Sequence, residues 1–260
     1  MSAPVFFAEP ADVAAHAAGS RYVLDGPEGR HAGVVQRRSP GERIDVADGA
    51  GTRLRCTVAE VDGARVLLDV DEVVAEPEPD VVVTLVQALA KGDRDELAIE
   101  AATEVGADAI LPWQAERSIV VWRGDRAEKS RARWVSTVRA ATKQARRARV
   151  PEVGGVVATR ALAARVRDVV AAGGAAVVLH EEATTALADV VLPEPAAAGR
   201  GPELLVVVGP EGGIGAGEVD ALREAGASLA RLGPHVLRTS TAGPVAIALI
   251  SERLGRWAGV

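Results

Sequence analysis

The sequence predicts an α/β protein: a C-terminal parallel sheet covered by helices, preceded by a small β domain. Three observations predict it. Apolar runs of strand length, Val81–Leu89, Ala109–Leu111, Ala175–Leu179 and Leu204–Val208, alternate with stretches of helical period. That alternation is the pattern of a sheet buried on both faces. Ahead of it, short segments of period two are separated by glycine turns. Between the two parts lies Glu76-Pro77-Glu78-Pro79-Asp80, stiffened by its prolines and kept solvated by its carboxylates. The expected division is therefore residues 1–75, a linker at 76–80, and a second domain over 81–260.

Composition narrows the class. At 260 residues, 48% hydrophobic and 25% charged, the chain is long enough for two globular domains. A net charge of −6 gives no global footprint for nucleic acid, so any such contact needs a local basic patch. The single cysteine, Cys56, excludes an internal disulfide and a cysteine-based zinc site. It sits in an alternating strand pattern and is read as a small core residue. No basic-then-apolar leader opens the chain, and no run approaches the ~18 apolar residues of a membrane helix. The expectation is a soluble, cytoplasmic protein without a membrane partner.

In the first domain, Val5–Phe7 and Tyr22–Leu24 are short apolar runs, and Glu28–Gln36 reads as one short helix ended by Ser39-Pro40-Gly41. Arg43–Asp48 alternates with Ile44 and Val46 inward, and Asp48-Gly49-Ala50-Gly51 turns the chain. Thr52–Val61 buries Leu54, Cys56 and Val58; Val66, Leu68 and Val70 repeat the pattern. Successive short strands of this kind suggest a small barrel.

In the second domain, Asp93–Val105 reads as a helix with Asp93 and Glu96 as a capping box. Its expected buried stripe is Leu97, Ala101 and Val105, with Glu100 and Glu104 on the solvated face. Between Arg126 and Arg149, Trp134, Val138 and Ala145 supply an apolar stripe, while Arg126, Lys129, Arg131, Arg133, Arg139, Lys143, Arg146, Arg147 and Arg149 make the other faces cationic.

The stretch Leu204–Gly255 carries the chemistry. A buried strand stops at Gly209-Pro210-Glu211-Gly212-Gly213, where proline and glycines force a sharp loop with outward N–H groups. Glu218–Ala225 is a short helix. A second loop, Arg231–Pro244, holds Gly233, Pro234, Arg238 and the hydroxyl triplet Thr239, Ser240 and Thr241; a last apolar helix covers Val245–Leu254. Two such loops at the ends of adjacent buried strands are where open α/β sheets place ligands. The glycines at 209, 212, 213, 215 and 217 do not fit the dinucleotide fingerprint, and no phosphate-loop lysine motif occurs. A dinucleotide or nucleoside-triphosphate site is disfavoured. His180 followed by Glu181 and Glu182 lacks the further ligands a metal site needs.

GPEGGIG (Gly209–Gly215) followed by LGPHVLRTSTA (Leu232–Ala242) resembles the signature of the SPOUT-superfamily 16S ribosomal RNA uridine-N3 methyltransferases. His235 and Ser240 depart from that signature, standing where the family has arginine and glutamate. KGDRDELAIEAATEVGAD (Lys91–Asp108) and ATKQARRARVPEV (Ala141–Val153) also resemble family segments, with Thr142 or Lys143 where a glutamate is usual. RHAGVVQRRSPGERIDVADGAG (Arg30–Gly51) resembles the family's N-terminal PUA-like domain, with Gln36 for a leucine and Glu42 for an aspartate.

The resemblance implies a PUA-like β-barrel and a catalytic domain tied in a deep trefoil knot. It implies S-adenosyl-L-methionine as cofactor, no metal, a homodimer, and 16S rRNA as partner, within the assembled small ribosomal subunit near the decoding centre. The cofactor residues it implies are Leu179, His180, Gly209, Pro210, Glu211, Gly212, Gly213, Ile214, Leu232, Gly233, Val236, Leu237, Thr239, Ser240 and Thr241. RNA contact falls to Arg30, His31, Arg37, Lys91, Arg94, Gln144, Arg146 and Arg147, because a one-signed surface in an acidic protein suits phosphates. Uridine N3 is protonated at neutral pH, so its alkylation needs the developing ring charge stabilised and the proton removed. Arg238 is the candidate for the charge; Glu211 or a hydroxyl of Thr239, Ser240 or Thr241 stands for the proton. The other readings are an RNA-binding protein that kept the fold without catalysis and a methyltransferase for another RNA base.

Overall fold

The computed structural model describes residues 3–258. The chain divides into two compact units: residues up to Pro77 together with Thr142–Val150, and Glu78–Ala141 with the chain from Pro151 onward. The short return of Thr142–Val150 to the first unit is not foreshadowed by the linker.

The first unit runs β1 (Val5–Phe7), α1 (Pro10–Ala14), β2 (Arg21–Leu24), α2 (Gly26–Arg30), a π-helical turn (His31–Val35), β3 (Arg43–Ala47), β4 (Thr52–Asp62) and β5 (Arg65–Ala75). Its five strands pair in the order β1-β3-β4-β5-β2, parallel between β1 and β3 and antiparallel elsewhere. No pairing closes β1 onto β2 among the described residues, so the sheet is an open one and not a closed barrel. Inward residues form the core as the alternation requires: Ile44, Val46, Leu54, Cys56, Val58, Val66 and Leu68. The single helix expected over Glu28–Gln36 is instead two pieces. Gly26-Pro27 starts the chain turning earlier, since proline suits the first helical position. Then Gln36 N–H donates to the His31 carbonyl at 2.8 Å, a five-residue closure that widens the last turn.

The second unit contains β6 (Val82–Ala88), α3 (Arg94–Glu104), β7 (Ala109–Gln114), α4 (Asp125–Gln144, whose last turn passes into the first unit), β8 (Glu152–Val153), β9 (Val157–Ala158), α5 (Thr159–Ala171), β10 (Ala175–Leu179), β11 (Glu203–Val208), α6 (Ala216–Glu224), β12 (Ser228–Ala230) and α7 (Thr239–Arg253). Seven strands form one parallel sheet, ordered β12-β10-β11-β6-β7-β8 with β9 also on β7. Register is fixed by pairs such as Leu204 with Val83, Leu85 with Ile110 and Ala175 with Leu204. Every residue of β6 is buried, as a central strand covered on both faces demands. Val86, Leu205, Val207 and Val178 meet Leu162 and Val166 of α5 and Leu222 of α6. On the opposite face α7 lies close to the sheet at Gly243, where an added Cβ would sit 2.8 Å from Leu85 Cδ1.

Five expectations change. The buried stripe of α3 is Asp95, Ala98, Ile99, Ala102 and Thr103, and Leu97 is 55% exposed. Polar residues sit on that stripe because they are bonded: Thr103 Oγ1 donates to the Ile99 carbonyl at 2.7 Å, and Asp95 accepts the Glu96 N–H at 2.9 Å. Burial pushes the Asp95 carboxyl up to about 6. Asp93 caps by position only; no side-chain cap bond forms, and its carboxylate faces Arg133. The basic helix stops at Gln144, where Arg146 takes a left-handed conformation (φ 58°) and Arg147 N–H donates to the Thr142 carbonyl at 3.0 Å. The last helix starts at Thr239, not Val245, and runs through Pro244. Finally, the strands before the two glycine loops are not neighbours, because β10 lies between β11 and β12.

Cys56 is fully buried, and that burial, with Asp45 and Asp71 adding, pushes its thiol up to about 12. The folded state therefore holds a proton that the unfolded thiol releases above its ordinary value of 9.0. Stability falls as pH rises past that value, with a slope of about 1.4 kcal/mol per pH unit for one proton. Urea denaturation at pH 8 and pH 10 should show the fall, and Cys56→Ala should flatten it. A thiol reagent at pH 8 should label Cys56 only after unfolding; fast native labelling contradicts the burial.

Candidate active site

Parallel strands bring their C-terminal ends to one edge of the sheet, and β10, β11 and β12 are side by side. The segments that follow them converge on one cavity of about 910 Å³, within the range of a small-molecule site. Leu179, His180, Glu181 and Glu182 come from the end of β10. Val208 through Ile214 come from the end of β11, and Arg231 through Thr239 from the end of β12. Of the residues expected from the sequence, Leu179, His180, Gly209, Pro210, Glu211, Gly212, Gly213, Ile214, Leu232, Gly233, Val236, Leu237, Arg238 and Thr239 line it. Ser240 and Thr241, on the first turn of α7, do not.

The glycine loop is a tight turn. Gly213 N–H donates to the Pro210 carbonyl at 2.9 Å, and Gly213 has φ +75°, a region that costs glycine nothing. The second loop is tied to the first by a hydroxyl. Thr239 Oγ1 donates to the Gly209 carbonyl at 2.8 Å and accepts from Gln87 Nε2 at 2.9 Å. Gln87 is fully buried at the end of β6, and its amide also donates to the Ala88 carbonyl at 3.1 Å. No motif marks Gln87; an amide in a mostly apolar strand is the available signal.

Charge is arranged unevenly around this cavity. Arg94 Nη1 lies 2.8 Å from Glu211 Oε1, which also accepts the Lys91 N–H at 3.2 Å. Burial alone would raise the Glu211 carboxyl. Its own backbone N–H, the Arg94 guanidinium and the Lys91 N–H outweigh that and hold it below the ordinary carboxylate range. Glu211 is thus an ionised, occupied acceptor at neutral pH. Arg238 precedes α7 at the N-cap position, is exposed, and has no side-chain partner among the described residues. No group of three or more metal-ligating side chains occurs among the described residues.

The residues expected to meet RNA fall in two sets. Lys91 and Arg94 belong to the second unit, beside Glu211. Arg30, His31, Arg37, Gln144, Arg146 and Arg147 belong to the first. Arg30 and Arg37 are exposed; His31 is half-buried and makes a T-shaped ring contact with Phe6. Several neighbouring cations serve the fold instead. Arg53 pairs with Asp45 and Glu76 and donates to the Arg146 carbonyl at 2.8 Å. Arg149 donates to the carbonyls of Ala50, Glu76 and Pro77, and Lys143 Nζ lies 2.5 Å from Glu28 Oε2. Arg131 donates to the carbonyls of Val153 and Gly154, and Arg133 pairs with Glu96.

The chain is similar to known proteins. A family model for the RNA methyltransferase domain matches residues 76–251. The ribosomal RNA small subunit methyltransferase E of Mycobacterium bovis is 48% identical over 239 residues, 92% of this chain and 89% of that protein. The protein of the same name from Bacillus subtilis is 34% identical over 236 residues, 88% and 89% of the two chains. A crystal structure of the Neisseria gonorrhoeae ribosomal RNA small subunit methyltransferase E, bound to S-adenosyl methionine, superposes with a TM-score of 0.81 at 27% identity, covering 97% of this chain and 98% of that one. The chain accordingly belongs to the RNA methyltransferase family whose members are named ribosomal RNA small subunit methyltransferase E.

Proposed function

We propose that the protein transfers a methyl group from S-adenosyl-L-methionine to N3 of a uridine in the 16S rRNA of the small ribosomal subunit, near the decoding centre. One observation carries this reading: three loops at adjacent strand ends enclose a single cavity whose rim holds Arg238 without a partner. Membership of the family and a relative solved with S-adenosyl methionine support it.

The cavity fits that cofactor by its chemistry. It offers apolar walls from Leu179, Val208, Ile214, Val219, Leu232, Val236 and Leu237, and turn backbone at Gly209–Gly213 and Leu232–Gly233. We assign those residues, with His180, Pro210, Ile214 and Thr239, to holding it; Ser240 and Thr241 serve through the first turn of α7. When bound, the cofactor supplies a methyl group already activated by its sulfonium, so the chain's main work is alignment. Arg238 holds the negative charge that develops on the uracil carbonyls, and the N3 proton passes to water at the open mouth. Glu211, ionised and tied to Arg94, would have to give up that pair to accept a proton. Its part is to hold Arg94, the Lys91 backbone and the glycine loop in place, and Arg238 is the catalytic residue.

The N-terminal residues 1–75 are, in this reading, a PUA-like RNA-binding domain joined through 76–80 to a knotted SPOUT domain over 81–260. Arg30, His31, Arg37, Gln144, Arg146 and Arg147, with Lys91 and Arg94, meet RNA phosphates. The support is the resemblance of Arg30–Gly51 and of the two C-terminal loops, and a family match that begins at residue 76. The enzyme works as a homodimer in the cytoplasm; no described helix is long and apolar enough to cross a membrane. The packed pair α3 and α7 exposes Leu97 (55%), Val245 (37%) and Leu249 (49%), and Trp257 after α7 is 46% exposed, apolar surface suited to a second copy. Sedimentation should then show dimers for the native protein and monomers for Leu249→Arg; an unchanged dimer removes this face from the interface.

Calorimetry should detect S-adenosylmethionine binding with none comparable for NAD. Arg238→Lys keeps the charge but loses the planar fork. Turnover on 16S rRNA at saturating cofactor should fall roughly 10²-fold or more, as for loss of one oxyanion-type donor. Cofactor dissociation constant and melting temperature should stay near native values. Lost cofactor binding with normal saturated turnover would make Arg238 a loop-shaping residue.

A further inference from the structure

Four arginines line the cavity: Arg94, Arg117, Arg231 and Arg238. Arg94 gives one guanidinium nitrogen to Glu211 and stays partly exposed, so it reaches RNA with its remaining donors. Arg117, which carries no sequence motif, is placed differently. Its Nη1 donates to the carbonyl of Gly212 at 3.0 Å, a neutral acceptor, and it makes no ion pair among the described residues.

The segment that carries Arg117 is fixed from behind. Glu116 N–H donates to Glu218 Oε1 at 2.9 Å, and Thr159 Oγ1 donates to the same oxygen at 2.5 Å. Gly215 N–H donates to Glu218 Oε2 at 3.1 Å, and Trp113 Nε1 donates to Thr159 Oγ1 at 3.1 Å. Glu218 is 6% exposed and Trp113 is fully buried. One buried carboxylate therefore joins the chain leaving β7 to the first turns of α5 and α6. The next residue, Arg117, is delivered to the lip of the glycine loop.

A guanidinium that is anchored, exposed and not neutralised keeps its charge and most of its donors for an anion. RNA brings phosphates, and the planar fork of arginine matches them. We propose that Arg117 binds a phosphate of the RNA beside the target nucleotide, placing the nucleic acid over the cavity. The proposal rests on the methyltransferase reading and adds to it a residue for positioning substrate. A purely structural clamp on Gly212 would act through the loop and so through the cofactor. A bond to the cofactor's carboxylate would also act there. A phosphate contact acts on RNA and releases counterions.

The test compares native protein, R117Q and R117K by filter binding to small ribosomal subunits from cells lacking the protein over a potassium chloride series, with calorimetry of S-adenosylmethionine alongside. For R117Q the slope of log affinity against log salt should be shallower by roughly 0.7 to 0.9, while R117K keeps the native slope and both keep cofactor affinity within about twofold. A native slope in R117Q, an equal loss in R117K, or weakened cofactor binding with an unchanged slope each overturns the proposal. Native protein that binds the subunits but transfers no methyl overturns the functional reading and leaves the slopes a test of Arg117. Native protein that does not bind the subunits overturns both.

Discussion

The site depends on the hydrogen-bonded junction at Thr239. Its hydroxyl accepts from Gln87 on the central strand and donates to Gly209 at the start of the glycine loop. Thr239 is also the first residue of α7, directly after Arg238. One hydroxyl thus sets three things together: the end of β6, the turn expected to hold the cofactor, and the direction from which Arg238 enters the cavity. Carrying a glutamine amide into a wholly buried strand costs free energy; here its N–H donors go to the junction and to the adjacent Ala88 carbonyl, while its Oε1 is buried with no partner among the described residues. The stability of the sheet is in this way converted into precision at the loops.

Around that junction the charges divide the work. Carboxylates are engaged in holding backbone. Glu211 takes the Lys91 N–H and Arg94, and Glu218 takes two N–H groups and a hydroxyl. Two arginines at the cavity have no carboxylate partner among the described residues: Arg238 has no side-chain partner, and Arg117 donates to a neutral carbonyl. Glu211, despite its burial, is held below the ordinary carboxylate range by its own backbone N–H, the Arg94 guanidinium and the Lys91 N–H, and is a weak base. This division of charge explains how a chain of net charge −6 presents local positive groups to RNA.

Much of this was legible in the sequence. Apolar runs located the main strands of the parallel sheet to within a few residues, because strands buried on both faces leave no other pattern. Proline and glycine marked the loop after β11. What escaped had physical reasons. β12 is three residues long, too short to show a period, so the insertion of β10 between the two loop-bearing strands was invisible. Pro244 read as a boundary, yet α7 passes through it and takes in the hydroxyl triplet. The α3 stripe was misplaced because Asp95 and Thr103 are buried with bonded polar groups, which a hydrophobic pattern cannot anticipate. Gln87 and Arg117 act across 152 and 95 residues of sequence, and only the fold brings their partners to them.

The loops at the ends of β10, β11 and β12 are proposed as a methyl-transfer site for a uridine of small-subunit rRNA. The most direct measurement is mass spectrometry of 16S rRNA from cells lacking the protein and from the same cells supplied with it again. One N3-methyluridine should vanish in the first and return in the second. Identical modification in both would contradict the proposal.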